Sequence, residues 1–223
     1  MILAAPARHF WDPAFLRKLP GLVLADDRPG APGANVFWAS NLQEAGQVLH
    51  GYQSAWLPAS LLQADQQAPL AEALFAASRH WRVALHVNKG LAGAPPEAVA
   101  AARATAMNPA VLDAFALLIS GAEGPPAYPG IPGHEPDRST ARQHAEAIER
   151  AMGEVRKLLP NAGSYVAESN FFDEGWQQSF WGSNYARLLA VKDAYDPNGL
   201  FVVHHGVGSE RWSRDGFTRL TSP

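Results

Sequence analysis

Between Gly121 and Pro136, nine of sixteen residues are glycine or proline. No helix or strand interior tolerates that density, because each proline removes a backbone donor and each glycine adds chain entropy. The stretch reads as a long loop that separates whatever folds on either side of it. Just beyond it, Ala141, Ala145, Ile148, Met152, Val155 and Leu159 recur at spacings of three and four, with Arg, Glu and Lys on the other face. That pattern predicts a helix over Ser139 to Leu159 with one face laid on a sheet.

Further helices are expected over Pro69 to Trp81, Pro96 to Ala106 and Asn184 to Tyr195, the last stopped by Asp196-Pro197-Asn198-Gly199. Strands are expected at Asn35 to Ala39, Arg82 to Asn88, Phe115 to Ser120, Ser164 to Glu168 and Leu200 to Val203, each short and bounded by turn residues. The alternation lacks a regular βαβ rhythm, so the fold class expected is α+β, an antiparallel sheet flanked by helices.

With 223 residues, 47% of them hydrophobic, the chain can bury a sizeable core. Its net charge of -3 supplies no basic field for nucleic acid or anionic lipid. The absence of cysteine excludes disulfides, thiolate metal sites and a catalytic thiol. No stretch reaches the roughly 20 apolar residues of a membrane span and the start carries no signal-peptide core, so a cytoplasmic location is the expectation. No GxGxxG, Walker-type loop or HExxH occurs, which removes the common self-contained dinucleotide, phosphate and zinc readings.

Several residues invite a chemical reading. On a strand from Ser164 to Asn170, Tyr165 would share a face with Ala167 and Ser169, and Glu168 would share one with apolar Val166. A half-buried carboxylate is costly unless paired, and such a placement suits proton abstraction; a solvated or salt-bridged strand glutamate is the alternative. Asn184 follows Gly182-Ser183 at a helix start, where unpaired N–H groups suit an electron-rich ligand edge, with an ordinary N-cap by Asn184 or Ser183 as the other reading. In the run from Arg82 to Lys89, His86 and Asn88 would lie on one strand face and Lys89 on the other; a lone strand histidine is also a common structural residue. His204 and His205, adjacent at a strand end, would point to opposite faces, and no metal site is expected of them. Tyr185, Leu188, Leu189 and Tyr195 form a stripe suited to burying their helix.

From Ser164 to Trp212 the order of motifs is specific. A Tyr-Val pair is followed by Trp176-Gln177, Phe180-Trp181-Gly182, Asn184-Tyr185-x-Arg-Leu, Val191-Lys-x-x-Tyr-Asp-Pro-x-x-Leu-Phe201 and Gly206-Val-Gly-Ser209. This series resembles the C-terminal signature of the berberine-bridge-enzyme-like FAD-linked oxidases, flavoproteins of the vanillyl-alcohol-oxidase type. The resemblance implies a division at about residue 160, with a partial substrate-binding domain over 1–160 and a berberine-bridge-like segment over 161–223. It implies FAD as cofactor, hydride transfer from a small alcohol, sugar or amine, and a flavin-binding domain or subunit as partner. By site, it implies Glu168 as general base, Asn184, Tyr185 and Asn170 near the flavin, and Tyr165, His86 and Lys89 toward substrate.

Two departures accompany it. Glu168 stands where plant-like members carry a tyrosine, and the strand Phe115-Ala116-Leu117-Leu118-Ile119 has apolar residues where the family places a Lys or Gln beside the base. The family's flavin-binding domain has no counterpart in these residues. A flavin-free binding or structural module, or an inactive remnant, is the competing reading.

Overall fold

The computed structural model describes residues 12–26, 29–39, 46–87, 91 and 93–220. The described elements in chain order are α1 (Pro13–Leu16), β1 (Val23–Ala25), β2 (Val36–Trp38), β3 (Val48–Pro58), α2 (Gln67–Ser78), β4 (Ala84–His86), α3 (Pro96–Arg103), α4 (Ala110–Asp113), β5 (Ala114–Gly124), α5 (Arg138–Leu158), α6 (Trp176–Trp181) and α7 (Tyr185–Tyr195). The fold is α+β. The chain forms two compact units, residues 1–49 with 123–138 and residues 50–122 with 139–223. The division expected at about residue 160 falls inside the second of these.

In the first unit, Asp12 Oδ1 caps α1 by accepting from Ala14 N at 2.9 Å, and Pro13 opens the helix where its missing N–H costs nothing. Strands β1 and β2 pair antiparallel, Val23 opposite Trp38 and Ala25 opposite Val36. The Gly/Pro-rich loop folds on itself, with Tyr128 N donating to His134 O and Gly130 N to the Glu135 carboxylate.

The second unit is built on a three-stranded sheet in the order β3-β5-β4. Strand β4 runs antiparallel to β5, Ala84 opposite Ile119, Leu85 opposite Leu118 and His86 opposite Leu117. Residues an even number apart on a strand share a face, so Leu118 points the same way as Ala116, two residues before it, and Ala122, four after it. They meet Ala55 and Leu57 of β3, Ala77 of α2, and Ile148, Ala151, Met152 and Val155 of α5 in one buried cluster. Of the stripe expected on α5, Ile148, Met152 and Val155 are buried, at about 1.5–3 kcal/mol for each large aliphatic side chain removed from water; Ala141, Ala145 and Leu159 are half-buried, and Ala147 and Ala151 join the buried face unexpected. Gly51 of β3 also faces α5: a Cβ there would come within 3.3 Å of Ile148 and 3.6 Å of Ala145. By alternation Tyr52, Ser54 and Trp56 belong to the opposite face.

Two expected strands are absent. From Ser164 the backbone donors go elsewhere than to a strand ladder: Tyr165 N donates to Ser54 Oγ of β3, and Glu168 N closes a turn on Tyr165 O at 3.0 Å. From Leu200 the Asp196 carboxylate accepts from Leu200 N and Phe201 N, taking up donors that a strand ladder would need. The alternation argument for Tyr165 and Glu168 fails with the first strand. The opposed arrangement of His204 and His205 fails with the second, because they lie in a turn in which His205 has φ 57°. Strands β1 and β3 and helices α1, α4 and α6 were not expected from sequence. Among the described residues no helix is long and apolar enough to cross a membrane.

Candidate functional site

The face of the sheet turned away from α5 carries a cavity of about 370 Å³. Its floor is Ile119 and Gly121 of β5 with Ala84 and His86 of β4, and its walls are Tyr52, Arg82, Val83 and Glu168. Gly121 is what lets the Tyr52 ring lie flat on the strand, since a Cβ there would fall 2.8 Å from Tyr52 Cε1.

Glu168 reaches this cavity because its segment is pinned to β3. Ser54 Oγ and Ser164 Oγ are 2.9 Å apart and buried, Tyr165 N donates to Ser54 Oγ at 2.9 Å, and Trp56 meets the Tyr165 ring edge to face with centroids 6.3 Å apart. The turn from Tyr165 then presents the half-buried Glu168 carboxylate. Among the described residues that carboxylate has no ion-pair or hydrogen-bond partner. Arg82 lines the same cavity, and its side chain makes one long hydrogen bond, from Nε to Gly121 O at 3.4 Å. Trp56 Nε1, on the strand that anchors the segment, is buried without an acceptor.

Of the residues singled out in the sequence, Glu168 and His86 are thus brought together, with Tyr165 anchoring the segment. Lys89 lies outside the described residues. Asn170 borders a different cavity, of about 520 Å³, where Gln53, Glu149 and Arg156 bond one another; its own Oδ1 accepts from Phe172 N. Asn184 lies in a third neighbourhood. Its side chain does not cap α7 but donates to Met107 O at 2.7 Å and Thr105 O at 3.2 Å, holding the link between α3 and α4. Asn184→Ala leaves Met107 O without its donor, while Thr105 O keeps the bond from Arg187 Nη2, and is expected to cost about 1 kcal/mol, read as a lower urea midpoint at unchanged slope.

The Tyr185 hydroxyl donates to the Glu210 carboxylate at 2.7 Å and accepts from Gly208 N at 3.2 Å. Burial, and then the bond to Glu210, push its pKa well above the ordinary tyrosine value, so it stays a protonated donor.

Nearby, four rings form a ladder: Phe171 on His204 at 4.0 Å, His204 on His205 at 3.7 Å, and His205 on Trp176 at 5.4 Å. Burial, then the charge of His204, hold His205 below the ordinary histidine value of 6.5, with Asp173 opposing them. The unfolded chain therefore takes up this proton first, so the stability His205 contributes is complete above 6.5 and is lost as pH falls toward its folded value. The urea midpoint is expected to drop through that window. His205→Asn, which accepts a left-handed backbone, should flatten the slope. Among the described residues no group of three or more His, Asp or Glu is placed to hold a metal ion.

The two residues missed in the sequence are Tyr52 and Arg82. Tyr52 went with the unexpected β3, whereas Arg82 was legible, since it shares strand parity with His86.

Residues 164–208 match the family model described as berberine and berberine like. The chain is 41% identical over 93 residues to the FAD-linked oxidoreductase sor8 of Hypocrea jecorina (strain QM6a), a match covering 41% of this chain and 16% of that protein. It is also 41% identical over 87 residues to the VAO-type flavoprotein oxidase VAO615 of Thermothelomyces thermophilus, covering 38% of this chain and 15% of that one. The crystal structure of the VAO-type flavoprotein MtVAO615 from Myceliophthora thermophila C1 superposes with a TM-score of 0.54 at 27% identity, over 73% of this chain and 28% of that one. The chain thus spans about a sixth of these curated relatives and about a quarter of the solved neighbour. On the family match, the homologous sequences and the shared architecture together, the chain carries a berberine-like domain and is a homologue of FAD-linked oxidoreductases of the VAO type.

Proposed function

We propose that this chain is the substrate-side portion of an FAD-dependent oxidoreductase, covering the flavin and contacting a small organic substrate while a separate domain or subunit binds the cofactor. The observation that carries this reading is the apolar surface of its berberine-like segment and the tail after it. Phe172 is 78% exposed, Tyr195 87%, Leu200 80%, Phe201 75% and Phe217 89%. Leaving such side chains in water forgoes about 2 kcal/mol each, and this concentration is expected of a surface covered by another protein body. The occupant proposed is the flavin-binding domain, because the relatives in question are FAD-linked and the chain spans so small a part of them.

The residues present fit the ring side of a flavin. Trp56 Nε1 is a buried donor with no acceptor, and Arg82 and Glu168 bring an unpaired cation and anion to the same side of the sheet. Bound flavin would supply the two-electron acceptor. This chain's own part is to orient substrate on the floor of Ile119 and Gly121 and to take a proton at the Glu168 carboxylate. Tyr165 holds the segment that carries Glu168, and His86 offers a second polar contact. Lys89 is carried forward as a substrate contact on the resemblance alone. Asn184, Tyr185 and Asn170 are carried forward as flavin contacts with the side-chain atoms their present bonds leave over. For Asn184 that is Oδ1, and for Tyr185 the ring face, since its hydroxyl is committed to Glu210.

The test is co-expression with the flavin-binding domain encoded beside or before this chain. A co-purifying yellow complex that bleaches on substrate addition is expected. A partner that loads flavin but never retains this chain would favour a flavin-free module.

A further inference from the structure

We propose that the cavity between the sheet and Glu168 binds a hydroxy acid, its carboxylate held by Arg82 and its hydroxyl by Glu168. The inference deepens the reading above and depends on it only for calling this ligand a substrate. It starts from an imbalance: a guanidinium and a carboxylate line one cavity of about 370 Å³, yet form no ion pair with each other.

Arg82 is anchored at its root. Its carbonyl accepts from Ser120 Oγ at 3.0 Å, and its Nε leans on the Gly121 carbonyl that Trp81 Nε1 also binds, at 3.1 Å. The two terminal Nη groups, which make the planar fork suited to a carboxylate, have no partner among the described residues. Glu168 is anchored at the other side through Ser54 and Ser164. The floor of the cavity is Ile119, Gly121 and Ala84, with the imidazole of His86 as its one polar side chain.

Each alternative ligand class leaves one charge worse off than in water. A wholly apolar ligand strips water from both charges and pairs neither. A cation satisfies Glu168 and opposes Arg82, and a dianion does the reverse. A molecule with one carboxylate and one neutral hydroxyl gives Arg82 a bidentate anion and Glu168 a donor, while its carbon body covers Val83 and Ile119. The volume admits a ring-sized body beside those two groups.

The experiment is a calorimetric or NMR titration of the 223-residue chain at neutral pH with three probes of similar size: mandelate, phenylacetate, which lacks the hydroxyl, and benzyl alcohol, which lacks the carboxylate. Mandelate is expected to bind tightest and benzyl alcohol about tenfold weaker or worse, the effect of one hydrogen-bonded charge. Arg82→Gln should weaken mandelate and phenylacetate by about tenfold and leave benzyl alcohol unchanged, and Arg82→Lys should recover part of the loss. Equal binding of mandelate and benzyl alcohol, indifference to Arg82→Gln, or no saturable mandelate binding would each overturn the proposal. Because no flavin is present, the outcome is separable from that of co-expression: Arg82-dependent binding with no yellow complex would keep the site and remove the flavoprotein reading.

Discussion

Glu168→Gln is expected to lower the rate of substrate oxidation by about 10²- to 10⁴-fold in the chain assembled with its flavin-binding partner, the range lost when a positioned general base is removed. Gln keeps the shape and one acceptor oxygen of the side chain but cannot take a proton. The local structure should survive the change, because the segment is held by Ser54, Ser164 and Tyr165, and the Glu168 carboxylate makes no ion pair. A loss in kcat with KM and thermal midpoint nearly unchanged is therefore the expected signature. A variant that oxidises substrate at the parental rate would remove Glu168 from the chemistry. A fall in thermal midpoint with rate intact would make it structural.

What the sequence revealed of this site depended on where backbone hydrogen bonds go. The helix α5 was legible because its apolar residues recur at the helical period, and the strand β5 because residues 116–120 form one continuous buried run on a short apolar stretch. Strand β3 was not, because its face toward α5 carries Gly51 and Gln53 before Ala55 and Leu57, and it lacks apolar contrast. Gln53 is tolerated there because Glu149 and Arg156 of α5 satisfy its amide. The segments at Ser164 and Leu200 look like strands by composition, yet side-chain oxygens of Ser54 and Asp196 accept their N–H groups, a tertiary effect invisible to periodicity. Glu168 and His86 nevertheless share a cavity. The first arrives by a turn pinned to β3 rather than by the strand alternation expected of it. Asn184 shows the converse: a helix-start residue whose amide is spent on the carbonyls of another connection, something a capping rule cannot anticipate.

Leu118→Ala is expected to cost about 3 kcal/mol, within the roughly 2–5 kcal/mol seen for large-to-small changes at fully buried positions. Leu118 has no exposed surface and lies on the central strand, in the cluster it shares with Leu57, Ile148 and Met152. Deleting its branch opens a cavity that the sheet and the 21-residue helix α5 cannot close without moving both. Leu85 is the internal control. It pairs directly with Leu118 in the register and points to the same face, but it sits on edge strand β4 and is 42% exposed, so Leu85→Ala should cost about 1 kcal/mol or less. Urea denaturation of the two variants at equal slope measures the difference, and equal losses would mean that the helix-covered face does not carry the stability of this unit. Leu118 belongs to the face opposite Ile119 and Gly121. Its replacement should therefore lower the unfolding midpoint while leaving mandelate affinity under native conditions unchanged, which separates the half of the sheet that holds the fold from the half that holds the ligand.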